Sequence, residues 1–474
     1  MSKLINIKTI LVVGIIIRIA FLIWGAPLYY GTPNYATSLG DTWSWMSSMQ
    51  NLVHTGTYTA DPTYEDGKFF RPPGYSFFLM IFYFITGFDV EAMPLLIIGV
   101  QAIMDTFSIL FIYKIIQQIG GSKQTSLIGA FLYCFYPFVI VWTAVLTAET
   151  SGIFFLLLSL VYITKGDQGR NYLKAGLFIG ISILLRVQTI FIIPPLILYF
   201  LLKYGSIKNL INKNVIAFFI ALTLSYGLWP ARNLCYGKFI PAEEIVNDKH
   251  FSIDFTEFMF YIWSVKTDHR PQFDQIIEGK TVQWPKESYL LPGDSIKLAK
   301  LSALCYECGR GFSHWKYSAG LLKQPITAFT PCTEEIAKTF DELHTQQIKY
   351  NKYNFFIVVP LSNLEKAFFK SALYEHTNKI VVLFSSILFT YRTLCIFLGL
   401  LGSYLCFRYK MMDKKFNVLI VVYFAVWYLF LCVIYRNIEI RYLLLNDMLL
   451  LIPMAFLVNK VKDTIVKTKL QPTK

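Results

Sequence analysis

Gly74-Tyr-Ser-Phe-Phe-Leu-Met-Ile-Phe-Tyr-Phe-Ile-Thr-Gly87 is the stretch on which the topology of this chain turns. It is apolar almost throughout, yet shorter than the roughly 20 residues a helix needs to cross a bilayer. Longer or clearer runs lie near residues 8–27, 92–117, 124–142, 150–164, 172–186, 188–203, 214–230, 386–407, 416–435 and 441–459. If residues 74–87 form a re-entrant or surface-lying helix and the N-terminus is inside, every basic loop falls on the cytoplasmic side. Those loops are Lys114 and Lys123, Lys165 to Lys174, Lys203 to Lys213, Arg408 to Lys415, and the tail from Lys460 to Lys474. Lys and Arg in short loops set orientation by staying cytoplasmic. Counting 74–87 as a full span would move the following basic loops outside, so about ten spans with both termini inside are expected.

The composition agrees. Of 474 residues 55% are hydrophobic, the mean hydropathy is +0.48, and the balance is far from that of a soluble domain. Aromatic residues make up 17% and gather at the edges of apolar runs, where rings sit at headgroup level. The net charge of +14 would suggest nucleic acid in a soluble protein; here the excess lies largely in the basic loops and tail, so no nucleic-acid partner is expected. The first run, Ile10 to Trp24, is read as a span and not as a cleaved signal, because Arg18 interrupts it and no small-residue cleavage site follows.

This topology places one set of segments outside: the first loop 28–73, the turn at Glu149, the junction at Arg186, the stretch 231–377 and the turn from Arg436 to Arg441. The first loop contains Asp41, an amphipathic stretch from Thr42 to His54, then Tyr58, and closes on Phe70-Arg71-Pro72-Pro73-Gly74-Tyr75. The two prolines restrict the backbone and Gly74 permits a close turn, so Arg71 is held at the membrane surface. A guanidinium there forks onto phosphate oxygens as a lysine does not. The stretch 231–377 is polar, carries Trp263, Trp284 and Trp315, and has a helical pattern over Glu334 to Lys349; a small, mostly helical domain is expected. The expected division is a transmembrane catalytic module over 1–230, this domain over 231–377, and C-terminal spans with a basic tail over 378–474.

Several motifs in this order resemble the GT-C glycosyltransferases that use lipid-phosphate sugars, in particular the branch of protein O-mannosyltransferases and the lipid A aminoarabinose transferase. They are Asp41 after the first span, Arg71 with Pro72 and Pro73, the turn Thr147 to Thr150, and a span with Gly176 and Gly180 ending in Arg186. Trp229-Pro230-Ala231-Arg232-Asn233 and the pair Arg441-Tyr442 complete the set. The likeness covers 1 to about 240 and, more weakly, 430–459; Val187 and Gln188 stand where the family often has a proline. It implies an all-α polytopic fold of GT-C type and inverting transfer of one sugar from a polyprenyl-monophosphate carrier to an extracytoplasmic acceptor hydroxyl. A plasma or inner membrane is the expected setting.

Because the leaving group is already a phosphate, a single general base suffices, whereas glycoside hydrolysis uses paired carboxylates. Asp41 is the expected base; the competing reading is an N-cap for the helix beginning at Thr42. Glu149 is expected to assist, orient the acceptor, or share a divalent metal ion with Asp41; otherwise it is a solvated helix-start carboxylate. Arg71, Arg186 and Arg441 are the candidate donor-phosphate contacts, with snorkelling to the headgroups as the plainer role for Arg186. Tyr58, Tyr75, Arg232 and Tyr442 are candidate substrate contacts, and Arg436 shares their face. Arg18, mid-span, serves helix pairing or contact with the lipid carrier.

Cys235, Cys305, Cys308 and Cys332 lie in the external stretch and allow three pairings, with a structural bridge preferred to zinc at Cys305-x-x-Cys308. His314 and His344 read as ordinary surface residues. No nucleotide-cradling glycine loop or nucleophile motif is present, which argues against a nucleotide-driven pump. A lipid-linked sugar transporter and a lipid-diphosphate-dependent polymerase or ligase remain the competing functions; a transporter is expected to place its polar residues at mid-membrane depth.

Overall fold

Small residues decide how closely the apolar helices approach one another. A Cβ on Gly176 would lie 2.1 Å from the carbonyl oxygen of Phe218, and one on Gly180 would lie 1.9 Å from Ser225 Oγ. Gly169–Leu185 and Lys213–Tyr226 therefore pack backbone to backbone, as membrane helices do where burial supplies no drive. Gly399 and Gly402 of Lys379–Tyr409 seat in the same way on the carbonyls of Leu450 and Pro453 in the last helix, Ile440–Leu470.

The computed structural model describes residues 6–39, 41–62, 65–242, 252–265, 269–369 and 379–470, and the described residues form helices with no strand. The expected boundary at 377/378 lies outside the described residues. Among the described residues, six helices have the length and composition to cross a membrane: Ile7–Tyr30, Met93–Gln118, Val187–Tyr204, Val382–Tyr409, Lys414–Tyr435 and Ile440–Ile465. Two bent pairs raise this to eight: Lys123–Cys134 with Pro137–Ala144, at 55°, and Lys213–Tyr226 with Leu228–Cys235, at 45°. Pro137 explains the first bend, since it cannot continue the hydrogen-bond ladder. The expected count of about ten includes Glu149–Thr164 and Gly169–Leu185, of 16 and 17 residues, which are below that length.

The decisive run forms a helix of 12 residues, Gly74–Ile85, rising about 18 Å against roughly 30 Å of hydrocarbon. It buries Tyr75, Leu79, Phe82 and Tyr83 and exposes Phe77, Ile81, Phe84 and Ile85. Its apolar outer face without spanning length fits a helix that lies at the surface or re-enters.

Two ion pairs hold the bundle from inside. Arg18 is fully buried and joins Asp105 through Nη2 at 2.6 Å and Nε at 2.7 Å, while Tyr133 donates to the other Asp105 oxygen at 2.7 Å. Arg18 is thus a helix-pairing residue. The same arrangement recurs as Arg392 on Asp447 at 2.6 Å, with Tyr428 donating to Asp447 at 2.7 Å. Burial forces this pairing, because an isolated charge is costly in apolar surroundings. Polar groups are therefore present at depth as well as at one surface, and those described here are paired within the scaffold.

The polar stretch has a core of its own, with Phe258, Tyr261, Trp284, Phe312 and Phe340 packed between Ile253–Val265, Asp294–Glu307, Arg310–Ser318 and Pro331–Tyr350. Cys308 and Cys332 form the bridge, Cys305 is buried and free, and Cys235 is exposed and free. A zinc site at Cys305-x-x-Cys308 does not fit this pairing. The last part of this stretch also meets the spans. Residues 354–369 lie against the bundle, where Asn363 donates to the Cys432 carbonyl at 3.0 Å and the Ala367 carbonyl accepts from Arg392 at 2.7 Å. The outer side exposes Phe356, Ile357 and Leu361.

Breaking one partner of a buried pair leaves an uncompensated charge. Asp105→Ala is expected to cost about 3–5 kcal/mol, read as loss of folded yield and a lower melting temperature in detergent. Replacing both partners, Arg18→Met with Asp105→Leu, should recover most of that loss.

Candidate active site

Asp41 stands immediately before the helix Thr42–Thr55, but its side chain makes no capping bond to that helix. One carboxylate oxygen accepts from Arg71 Nη2 at 2.9 Å, and the other is paired with Arg441 Nη1. The three side chains are 19%, 14% and 19% exposed, respectively, so the cluster is sheltered and still reachable. An N-cap alone gives no reason for two guanidinium partners, one of them 400 residues away in sequence.

Each partner is held by its own scaffold. The Arg71 guanidinium lies 4.9 Å over the rings of Trp45 and Phe70. Its backbone is fixed from behind by the Tyr58 hydroxyl, which donates to the carbonyls of Arg71 at 3.0 Å and Pro72 at 3.3 Å. Gly74 then presses on the end of Gly169–Leu185, where a Cβ would stand 2.5 Å from the backbone of Leu184. This close approach, and no left-handed turn, is the reason for a glycine at that position; it carries the loop to within two residues of Arg186.

Arg441 opens the helix Ile440–Leu470. Its Nε donates to Glu439 Oε2 at 2.6 Å and its Nη2 to the Tyr442 hydroxyl at 3.2 Å. Arg186 sits in an extended break after Leu185 and joins Glu149 at 2.7 Å, both nearly fully buried. Arg186 Nη2 also reaches the Arg441 carbonyl at 3.4 Å, and its guanidinium lies 5.8 Å from the Tyr442 ring. The turn that bears Glu149 is tied to the first loop, since Thr42 Oγ1 donates to the Leu146 carbonyl at 3.1 Å and Leu146 N–H to Ala36 at 2.8 Å.

The structure thus brings together Asp41, Arg71, Arg441, Arg186, Glu149 and Tyr442. It places the other candidates in the scaffold. The hydroxyl of Tyr58 is occupied behind Arg71, and that of Tyr75 donates to Gln101 at 2.8 Å in the core. Arg232 clasps the loop through the carbonyls of Lys68 at 2.7 Å and Tyr58 at 3.0 Å. Arg436 stacks 3.6 Å over Phe355 and donates to its carbonyl at 2.8 Å. Glu439 joins the site without any motif to mark it; its only sequence signal is a carboxylate two residues before Arg441 at the mouth of the span.

A cation between Asp41 and Glu149 does not fit this arrangement. Both carboxylates are committed to arginines, and among the described residues no group of three His, Cys, Asp or Glu side chains is placed to hold a metal ion. Burial alone would raise the Asp41 carboxyl. The charges of Arg441, Arg71 and Arg186, with the Arg441 hydrogen bond, outweigh that effect and hold it well below the usual carboxylate range.

The helical, membrane-spanning layout of this chain is of GT-C type. Residues 70–229 match the family model described as dolichyl-phosphate-mannose-protein mannosyltransferase. That segment includes Arg71, Glu149 and Arg186 and excludes Asp41 and Arg441. Among solved structures, the apo oligosaccharyltransferase of Archaeoglobus fulgidus aligns with a TM-score of 0.50 at 13% identity, over 98% of this chain and 52% of that one. The same organism's AglB with an inhibitory peptide and a dolichol-phosphate gives 0.49 at 13% identity, over 99% and 52%. ArnT of Cupriavidus metallidurans in the apo state gives 0.34 at 12% identity, over 88% and 72%. The chain spans about half the length of the archaeal structures. No curated protein matches it in sequence.

A depressed carboxyl stabilises the fold above its unfolded value, about pH 3.9, and that contribution is lost as pH falls through the folded value. Wild type should therefore melt above Asp41→Asn by a constant margin above about pH 5. The margin should shrink as the pH is lowered further, which thermal unfolding in detergent across a pH series will show.

Proposed function

We propose that the chain is a membrane glycosyltransferase that moves one sugar from a polyprenyl-monophosphate carrier to an acceptor hydroxyl, with inversion, on the extracytoplasmic side. The observation that carries this reading is the reachable carboxylate of Asp41 clasped by Arg71 and Arg441 at the end of an apolar bundle. Two guanidinium groups beside an apolar surface suit a lipid phosphate, which they bind as forked, charge-assisted partners. The family match over 70–229 supports the same chemistry, and the orientation rests on the basic loops, which leave this cluster on the face away from them.

In the transfer itself, Asp41 accepts the proton of the acceptor hydroxyl and the acceptor oxygen bonds to the sugar's anomeric carbon. The carbon–oxygen bond to the phosphate breaks, and its electron pair leaves with the carrier phosphate between Arg71 and Arg441. Arg186 extends the positive field at 3.4 Å from the Arg441 carbonyl and is held by Glu149, which orients it. The helical unit around Phe258 and Phe340 is assigned to acceptor choice, because its Trp263 ring lies 6.2 Å from Tyr435, whose ring is 5.5 Å from that of Tyr442.

Purified protein given radiolabelled polyprenyl-phosphate sugars and extracted envelope acceptors should transfer label. Asp41→Asn, expressed and folded normally, should lose well over tenfold in rate. Retained activity moves the base elsewhere; carriage of labelled lipid across a sealed vesicle without consumption of donor makes the protein a transporter.

A further inference from the structure

Arg441 carries two carboxylates, and they hold different edges of its guanidinium. Glu439 Oε2 takes Nε at 2.6 Å, from two residues earlier in the chain, while Asp41 takes Nη1 from the first loop. Glu439 is itself steadied by Asn437, whose side-chain amide donates to its other oxygen at 3.1 Å. With Nε held, Nη1 meets Asp41 and Nη2 the Tyr442 hydroxyl. Asp41 meanwhile has each oxygen taken by a different arginine, and a carboxylate so engaged is a poor acceptor for a hydroxyl proton.

Resting on the transferase reading above, we infer that Asp41 and the carrier phosphate compete for the same two arginines, and that Glu439 is the positioning residue that keeps Arg441 aimed at whichever anion is present. Donor binding thereby frees the base. Charge conservation through the reaction supports the exchange. In the cluster, among the described residues, the guanidinium groups of Arg71, Arg186 and Arg441 face the carboxylates of Asp41, Glu149 and Glu439. As the acceptor proton moves to Asp41, that carboxylate loses one negative charge. Cleavage of the sugar–phosphate bond turns a phosphodiester into a phosphomonoester, which gains one. The arginines therefore see constant negative charge if they pass from Asp41 to phosphate, and neither they nor the departing carrier is left uncompensated.

The two carboxylates then have opposite effects on binding, although both are negative and both touch Arg441. Binding of sugar-free polyprenyl monophosphate to the full-length protein in detergent, measured by calorimetry, separates competitor from anchor. Asp41→Asn should bind the lipid phosphate about tenfold tighter than wild type, because the competitor is gone. Glu439→Gln should bind it about tenfold weaker, with Glu439→Asp restoring part of the affinity and thus separating a positioning role from misfolding. Both variants tightening would reduce the effect to bulk electrostatics and overturn the inference, as would Asp41→Asn binding no better than wild type. A protein that shows the opposite shifts and yet transfers no sugar keeps the competition and loses the transferase reading.

Discussion

An ion pair between Asp41 and Arg441 ties the first loop to the head of the last span, and the organisation of the site depends on it. Positive charge needs a partner once it is sheltered from water, and three arginines, Arg71, Arg186 and Arg441, share this cluster. They can remain together only because carboxylates are interleaved between them: Asp41 between Arg71 and Arg441, Glu439 against Arg441, and Glu149 against Arg186. Removing any carboxylate from this set would leave like charges facing one another in low dielectric.

That electrostatic cluster is built on steric foundations laid by apolar residues. The close approach of Gly74 to Leu184 sets the loop beside the break at Arg186, and the Gly176 and Gly180 contacts fix the helix that ends there. Tyr58, Tyr75 and Arg232 belong to the same support. Tyr58 holds the Arg71 carbonyl, Arg232 holds the carbonyls of Lys68 and Tyr58, and Tyr75 is bonded to Gln101 in the core, so these groups are committed to the scaffold.

The two buried pairs, Arg18 with Asp105 and Arg392 with Asp447, show the same rule at depth. In both, a tyrosine hydroxyl completes the carboxylate, from Tyr133 and Tyr428. Such pairs specify which helices lie side by side in a medium that offers no hydrophobic preference between them. The bundle thus uses charge in two ways: sealed pairs that define the scaffold, and a cluster at one end in which Asp41, Arg71 and Arg441 stay partly exposed.

Length, apolar runs and the distribution of Lys and Arg were sufficient to establish an all-helical membrane chain, to single out 74–87 as a helix too short to cross, and to collect Asp41, Arg71, Glu149, Arg186 and Arg441 as one group. Those signals are local or additive: hydropathy is a property of each segment, and charge in short loops reports on each loop in turn. Partner choice is different. That Arg18 meets Asp105, that Tyr58 turns away behind Arg71, that residues 354–369 lie on the bundle, and that Glu439 anchors Arg441 all depend on contacts between distant or oppositely facing groups. No periodicity encodes such contacts. Hydropathy and loop charge are enough to gather these residues at one end of the bundle; which of them face one another follows from three-dimensional distance and shared burial, which no local signal carries.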